Sequence, residues 1–380
     1  MRKMFFYATI AGVAFASCAK DNDGIVAPNE NDEKVAIQFA MGNAIEVTTR
    51  GTGAVGDTLN GTNEWAGEKL HVFMFEKGTM NLAQDPNNDN NYFFNNAIIT
   101  APSNGSEGTA VYDGVTKYYP GNGNFDFFAY HADDAINSAI EKSNDAFTVD
   151  IEIDGTQDIM VAKAAMNAAE KAHYVANSTD PNCNRVYSAY SARRDAHPRF
   201  QFTHELSRLV FYAIDMAEQD FEKYNEEGQF VGIQIDSVKI FNTKTTGAMT
   251  VAATDASKLG VVWNESVSTL TLEERATAGE ETSTLVPVKV DADTVRLGES
   301  MLIAPGTGDN VRELVVYYTE RPNGVLIKNE YQVALNNNFE KGSQYNVFFK
   351  VYNNEEIKLH VELTAWKDGG DIEVDSEAEE

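Results

Sequence analysis

The sequence predicts an all-β protein built from β-sandwich domains. Two observations carry this. Short runs rich in Tyr, Phe, Val, Thr and Ile alternate apolar with polar residues, and turn-rich stretches separate them. No strand–helix–strand rhythm runs through the chain, which argues against a parallel sheet with crossover helices. With 380 residues, 43% of them apolar and 11% aromatic, the chain suffices for two or three cored domains. Its formal charge of −28 argues against nucleic acid as a partner, because phosphates would be repelled. Such an acidic surface suits a soluble or secreted protein that must not stick to itself.

The N-terminus reads as an export signal. Arg2 and Lys3 precede the apolar run Met4–Ala16, which is too short to span a bilayer as a mature helix. Two cleavage readings follow. Ala14-Phe15-Ala16 is an ordinary A-x-A site, whereas Phe15-Ala16-Ser17-Cys18 looks like a lipobox whose cysteine becomes the lipidated N-terminus. The polar Ala19-Lys20-Asp21-Asn22-Asp23 after the cysteine favours lipidation at Cys18. Only Cys183 then remains, so no internal disulfide can form.

After a polar tether, Asp21–Glu33, the first strand announces itself. Val35, Ile37, Phe39, Met41, Ile45 and Val47 fall on odd positions, with Gln38, Glu46 and Thr48 among the even ones. Period two over this length means an extended strand with one buried face. It ends at Arg50, and a Gly/Thr/Asn-rich loop runs on to Asn63. Further strands are predicted at His71–Phe75, Phe125–Tyr130 and Phe147–Ile153, with an Ala-rich short helix over Ala162–Ala172. Arg193, Arg194 and Pro198 mark an exposed connection and a domain boundary after residue 198. A second set of strands follows: Arg199–Ile214, Ile233–Phe241, Leu314–Tyr318, Tyr331–Leu335, Tyr345–Tyr352 and Glu356–Trp366. In the last, Ile357, Leu359, Val361 and Leu363 alternate with Glu356, Lys358, His360 and Glu362. Lys367–Gly370 makes a turn, Ile372 and Val374 continue the alternation, and the chain closes on an acidic tail.

Motifs for chemistry fail on inspection. Gly51, Gly53 and Gly56 have dinucleotide-fingerprint spacing, but Asp57–Asn63 is turn chemistry where a helix N-terminus is required. Asp85, Asn87 and Asp89 begin like a calcium loop, then place Asn90 and Asn96 where Gly and Glu are wanted, which leaves at most a weak surface Ca²⁺ site. The six histidines form no metal-ligand spacing, and His204 reads as a satisfied structural residue. No nucleophile elbow appears. Neither a catalytic residue, a metal nor a cofactor is expected. Trp65, Trp263 and Trp366 read as core residues.

Several segments, in this order, resemble the fimbrillin family, the lipoprotein pilins and pilin-like adhesins of Bacteroidales type V pili. They are the lipobox at Cys18, "VTTRGTG" around Arg50, "GTQDIMVAKA" from Gly155, "FQFTHELSRLVFYAI" from Phe200, "IFNTKTTGAMTV" from Ile240, "GSQYNVFFKV" from Gly342 and the terminal "LTAWKDGGDIEV". "CAKDND" from Cys18 also resembles the acidic export signal of surface lipoproteins in such bacteria. The resemblance implies two transthyretin-like Greek-key β-sandwich domains in tandem and no enzymatic activity. It also implies polymerisation after an Arg-specific protease removes the first strand.

Arg50, at the junction of strand and flexible loop, is the matching cleavage position, and Gly51 leaves the far side of the bond unhindered. Arg193-Arg194 is a competing exposed site, but a cut there would separate domains rather than free a strand.

The expected layout is a signal peptide at 1–17 and a lipidated tether with removable first strand at 18–50. Sandwich domains follow at 51–198 and 199–355, then a strand hairpin with acidic tail at 356–380. Removing the strand bearing Val35, Ile37, Phe39 and Met41 would open a groove. Ile357, Leu359, Val361 and Leu363 of another subunit present the same period-two face to fill it by β-addition. The final Asp371–Val374 strand, or both arms of the hairpin, could equally be the donor. Expected partners are other pilin subunits, an Arg-specific protease, an outer-membrane lipid anchor during export and a host or bacterial surface ligand. The expected location is the outer-membrane surface, then the fimbrium. Two alternatives stand: a tip or accessory adhesin of the same family, and a non-polymerising glycan-binding lipoprotein using Tyr92, Phe93 and Phe94 as exposed aromatics. Replacing Cys18 by alanine is expected to abolish labelling by a palmitate analogue; equal labelling of both proteins would refute lipidation there.

Overall fold

The computed structural model describes residues 34–41, 67–85, 92–101, 108–112, 115–166, 170, 186–193, 196–216, 224–272, 288–290, 294–306, 312–321, 325–336, 338–352 and 356–364. Contacts separate Met1–Lys34, of which only the exposed Lys34 is described, from Val35–Glu380. In the latter, the strands of the first half are β1 (Phe39–Met41), β2 (Lys69–Glu76), β3 (Ala97–Thr100), β4 (Gly108–Tyr112), β5 (Phe125–His131), β6 (Glu141–Lys142), β7 (Ala146–Glu152) and β8 (Met160–Lys163). A one-turn helix, α1 (Ala189–Ala192), precedes β9 (Arg199–Phe200) and β10 (Thr203–His204). There follow β11 (Ser207–Asp215), β12 (Gln234–Lys244), β13 (Thr246–Ala253), β14 (Gly260–Trp263), β15 (Val267–Thr271) and β16 (Val288–Lys289). The last are β17 (Thr294–Ile303), β18 (Arg312–Glu320), β19 (Ile327–Leu335), β20 (Gln344–Tyr352) and β21 (Glu356–Thr364).

The largest sheet runs β10-β8-β5-β2-β3-β4-β1-β9. Its two ends are almost one piece of chain, since only Gln201 and Phe202 separate β9 from β10. The ends therefore lie within ~10 Å, the reach of three extended residues. Ala165, just past β8, donates its N–H to the Arg199 carbonyl across the gap at 3.0 Å. The sheet thus wraps onto itself, which disposes of unpaired edges. Alternate residues fill the inside: Leu70, Val72 and Met74 of β2, Phe127 and Ala129 of β5, and Phe200 and Phe202 around β9.

The outer face of β2 and β5 carries Phe73, Phe75, Phe128 and Tyr130. It packs on a second sheet, β14-β13-β7-β6, through Phe147, Val149, Met249 and Val251. Two further sheets, β17-β11-β20-β21 and β15-β12-β18-β19 with β16 beside β12, enclose a separate core around Phe211, Ile240, Val316 and Phe349. The architecture is all-β, as the strand periodicity predicts.

Three details differ from expectation. Arg199–His204 joins the first sheet rather than the second domain, so the chain changes sheets at Glu205–Leu206. The β13–β14 hairpin of the second half pairs with β7 of the first, so one sheet draws on both halves. Ala162, expected to be helical, lies on β8 opposite Ala129. Its side chain is buried in the interior, 3% exposed, and tertiary packing overrides the helical preference of alanine.

A buried polar joint holds this crossover. His204 Nδ1 lies 2.9 and 2.7 Å from the two Asp158 carboxylate oxygens, with both side chains 0% exposed. The Asp158 N–H donates to Asp133 Oδ2 at 2.8 Å. Asp133 Oδ1 in turn faces His131 Nε2 at 3.0 Å, in the approach of an ion pair rather than of a well-aligned hydrogen bond. His131 Nδ1 meets the Lys69 carbonyl at 2.9 Å. Both ring nitrogens face acceptors, so the geometry favours the imidazolium. Burial opposes that charge, but Asp133 and the Lys69 carbonyl outweigh it and push the His131 pKa from 6.5 to about 9. Burial likewise opposes the Asp133 charge, yet His131 holds that carboxyl below its ordinary value.

A raised histidine pKa stabilises the fold fully below pH 6.5, and that contribution is lost as pH rises through about 9. The depressed Asp133 acts oppositely: its contribution persists down to acid pH and is lost as pH falls through its lowered pKa. Between pH 6.5 and 9 the urea midpoint is therefore expected to fall, by about 1–2 kcal/mol of stability after discounting for the 39% exposed Asp133 side chain. Asp133→Asn is expected to flatten that slope, and an unchanged slope in the variant would refute the assignment.

Candidate functional site: a strand-filled slot and a terminal edge strand

Between β4 and β9 the first sheet has a slot one strand wide, and β1 occupies it. Phe39, Ala40 and Met41 pair antiparallel with Ala110, Thr109 and Gly108. On the other side Ala40 and Met41 pair parallel with Arg199 and Phe200. Just upstream, the Ile37 N–H donates to the Lys117 carbonyl and the Tyr119 N–H to the Val35 carbonyl, both at 2.9 Å.

Alternation decides what each side chain does. Gln38 is exposed, whereas Ile37 and Phe39 are 0% exposed and Val35 is half-buried against the same core. The Phe39 ring meets Phe94 at 5.2 Å edge-on, Phe127 at 5.5 Å edge-on and Phe200 at 5.5 Å stacked. Full burial of two such side chains contributes about 3–6 kcal/mol gross, before ordering costs. Without β1 the facing edges of β4 and β9 would have unpaired backbone groups, and the aromatic interior would be open.

One wall of the slot is anchored by the polar joint. Beyond His204, the Glu205 carboxylate accepts from Lys341 Nζ at 3.1 and 3.2 Å and from the Val261 N–H at 3.3 Å. Burial pushes the Glu205 carboxyl up, against the pull of Lys341. Gly260 has φ +115°, and a Cβ there would sit 2.5 Å from Glu205 Oε2, so only glycine fits. Arg208 Nε donates to Ser300 Oγ at 2.9 Å. Periodicity gave no sign of this cluster; its residues come together only through the crossover.

At the other end of the chain, β21 pairs antiparallel with β20 from Tyr352↔Glu356 to Gln344↔Thr364. The candidate donor residues Ile357, Leu359, Val361 and Leu363 stand in register with Val351, Phe349, Val347 and Tyr345, four buried residues of the second core. β21 has no second neighbour among the described strands, so it is an edge. The backbone of β21 is paired with β20 along its whole length.

Of the other predicted positions, Cys18, Arg50, Gly51, the signal peptide and the tail beyond 364 lie outside the described residues. So do Cys183, Trp65 and Trp366, while Trp263 is partly buried against the intersheet core. Phe93 and Phe94, considered as an exposed glycan platform, are instead 6% and 1% exposed; they line the interior beside Phe39. Among the described residues no cluster of His, Cys, Asp and Glu could hold a metal.

The fimbrillin-like family model matches residues 49–366. This chain belongs to the fimbrillin-like family. Membership supports a pilus or adhesin role at the cell surface, among other fimbrial proteins. Similar solved structures include a candidate cell adhesion protein from Bacteroides ovatus, 14% identical, covering 89% of this chain and 100% of that one at a TM-score of 0.48. Another, from Bacteroides uniformis, is 14% identical with the same coverages and a TM-score of 0.46. The fimbrial anchor protein Mfa2 from Porphyromonas gingivalis is 11% identical, covering 81% of this chain and 91% of that one at a TM-score of 0.33. None of the curated proteins compared matches the sequence.

Phe39→Ala is expected to cost about 3–5 kcal/mol in urea unfolding, the range for emptying a buried aromatic site. Gln38→Ala, on the opposite face of the same strand, should stay within about 0.5 kcal/mol. Comparable losses from the two would refute the inward alternation.

Proposed function

We propose that this fimbrillin-like chain is a structural subunit of a cell-surface fimbria. It is exported as a lipoprotein through Cys18, cut after Arg50 and polymerised by donor-strand exchange. The observation that carries the reading is the slot: Ile37 and Phe39, completely buried between β4 and β9, lie upstream of Arg50. Cleavage there would leave the inserted strand attached to the rest of the chain by non-covalent contacts alone. Its departure would expose an apolar groove with two unpaired edges, which a strand from a second subunit can satisfy.

The donor in this reading is β21, with Ile357, Leu359, Val361 and Leu363 offering the apolar alternation that Val35, Ile37, Phe39 and Met41 offer at the other end. Its position at a sheet edge supports the assignment, since exchange breaks one ladder rather than two. The partners are other pilin subunits and an Arg-specific protease, and lipid holds the precursor at the outer membrane.

Limited digestion with an Arg-specific protease, followed by negative-stain microscopy and N-terminal sequencing, tests this directly. Polymers should appear only after cleavage and begin at Gly51. Arg50→Ala should remain monomeric, and a chain lacking Glu356–Glu380 should be cut without extending. Polymers that retain the N-terminus at Cys18, or that grow without residues 356–380, would overturn the scheme.

A further inference from the structure

A cleft of about 460 Å³ opens where the first and second sheets meet, away from the slot. Its floor is the His71 ring, stacked on Tyr130 at 4.7 Å and 13° across the β2–β5 pair. Asn95 and Asn96 form one side, and Ile136 and Ile140 give an apolar wall. Lys142 stands at the rim.

The hydrogen bonds within the cleft leave a definite set of groups for a ligand. Asn96 Oδ1 receives both the Tyr130 hydroxyl at 2.8 Å and His71 Nδ1 at 3.1 Å. Two donors converging on one oxygen orient the Asn96 amide and place the imidazole proton on Nδ1. His71 Nε2 is then a lone-pair acceptor, and burial favours the neutral ring by lowering its pKa. Asn95 Oδ1 is taken by Lys142 Nζ at 3.0 Å. The amide NH₂ groups of Asn95 and Asn96, and His71 Nε2, have no partner among the described residues.

An acceptor beside two amide donors, opposite an apolar wall, matches a ring that bears hydroxyls on its edge and C–H groups on its face. Each sugar hydroxyl both donates and accepts, as this set requires. An anion fits poorly: Lys142 already donates to Asn95, and the chain carries −28. A wholly apolar ligand would strand the amides. We propose that this cleft binds a hexopyranose unit of a glycan.

Saturation-transfer NMR on the full chain tests the proposal. The probes are galactose, mannose and N-acetylglucosamine, each at about 5 mM, where a site of millimolar Kd is well occupied. At least one sugar should receive saturation. Asn95→Ala should weaken that binding about tenfold, as loss of one ligand hydrogen bond implies. Asn96→Gly should do the same without backbone strain, because φ there is +56°. A thermal melt of each variant verifies folding, and Asn95→Ala alone decides if Asn96→Gly unfolds. No transfer to any of the three sugars, or undiminished transfer in folded Asn95→Ala, would overturn the assignment.

Discussion

The passage of the chain from one pair of sheets to the next depends on the pair between Asp158 and His204. Both side chains are completely buried, and carboxylate oxygens lie 2.7 and 2.9 Å from the ring nitrogen. Buried polar groups of this kind are tolerated only when satisfied, so neither residue can be lost alone without stranding the other. The pair also sets position. It fixes β10 on β8, and the adjoining Glu205 and Arg208 grip Lys341 and Ser300 of the second half. Because β9 lies on the same segment as β10, the wall against which β1 packs inherits its place from this joint.

Apolar burial and polar pairing divide the labour. The three cores give gross stability, which is non-directional and tolerant of small slips. The joint supplies direction, since its donors and acceptors meet in one register only. β1 stands at the boundary between these regimes. Its ladder spans three residues, yet Phe39 reaches three aromatic partners from different parts of the sheet. A short ladder with deeply buried side chains is held chiefly by the hydrophobic effect.

The periodicity of single strands was legible in the sequence. Gln38 outward between Ile37 and Phe39 inward follows from period two, and β2, β5, β7, β12 and β20 lie where the β-rich runs place them. Sheet membership was not legible. Arg199–Ile214 reads as one continuous strand, but Glu205 and Leu206 break it into pieces that join different sheets, and nothing local encodes a partner. Phe93 and Phe94 follow an Asn/Asp-rich stretch that reads as solvent-facing, whereas the enclosing sheet buries both rings. No local pattern marks Asn95 and Asn96 as lining a cleft. Their role in the cleft comes from His71, Tyr130 and Lys142, which are distant in sequence and neighbours only after folding.

The closure of the first sheet by β9 and β10 sets an order of assembly. Strands from Phe39 onward can pair as they emerge, but β1 lacks one neighbour, and β8 its outer one, until residues 199–204 arrive. The second sheet waits longer, for the β13–β14 hairpin to reach β7. Contacts this remote along the chain delay folding, because loop entropy must be overcome before the contacts form. During that interval the aromatic interior around Phe127 stands open, and a half-emerged chain is vulnerable to pairing with its neighbours. A chain translocated before its strands close would cross in an extended state, and the compact form would arise only on the far side.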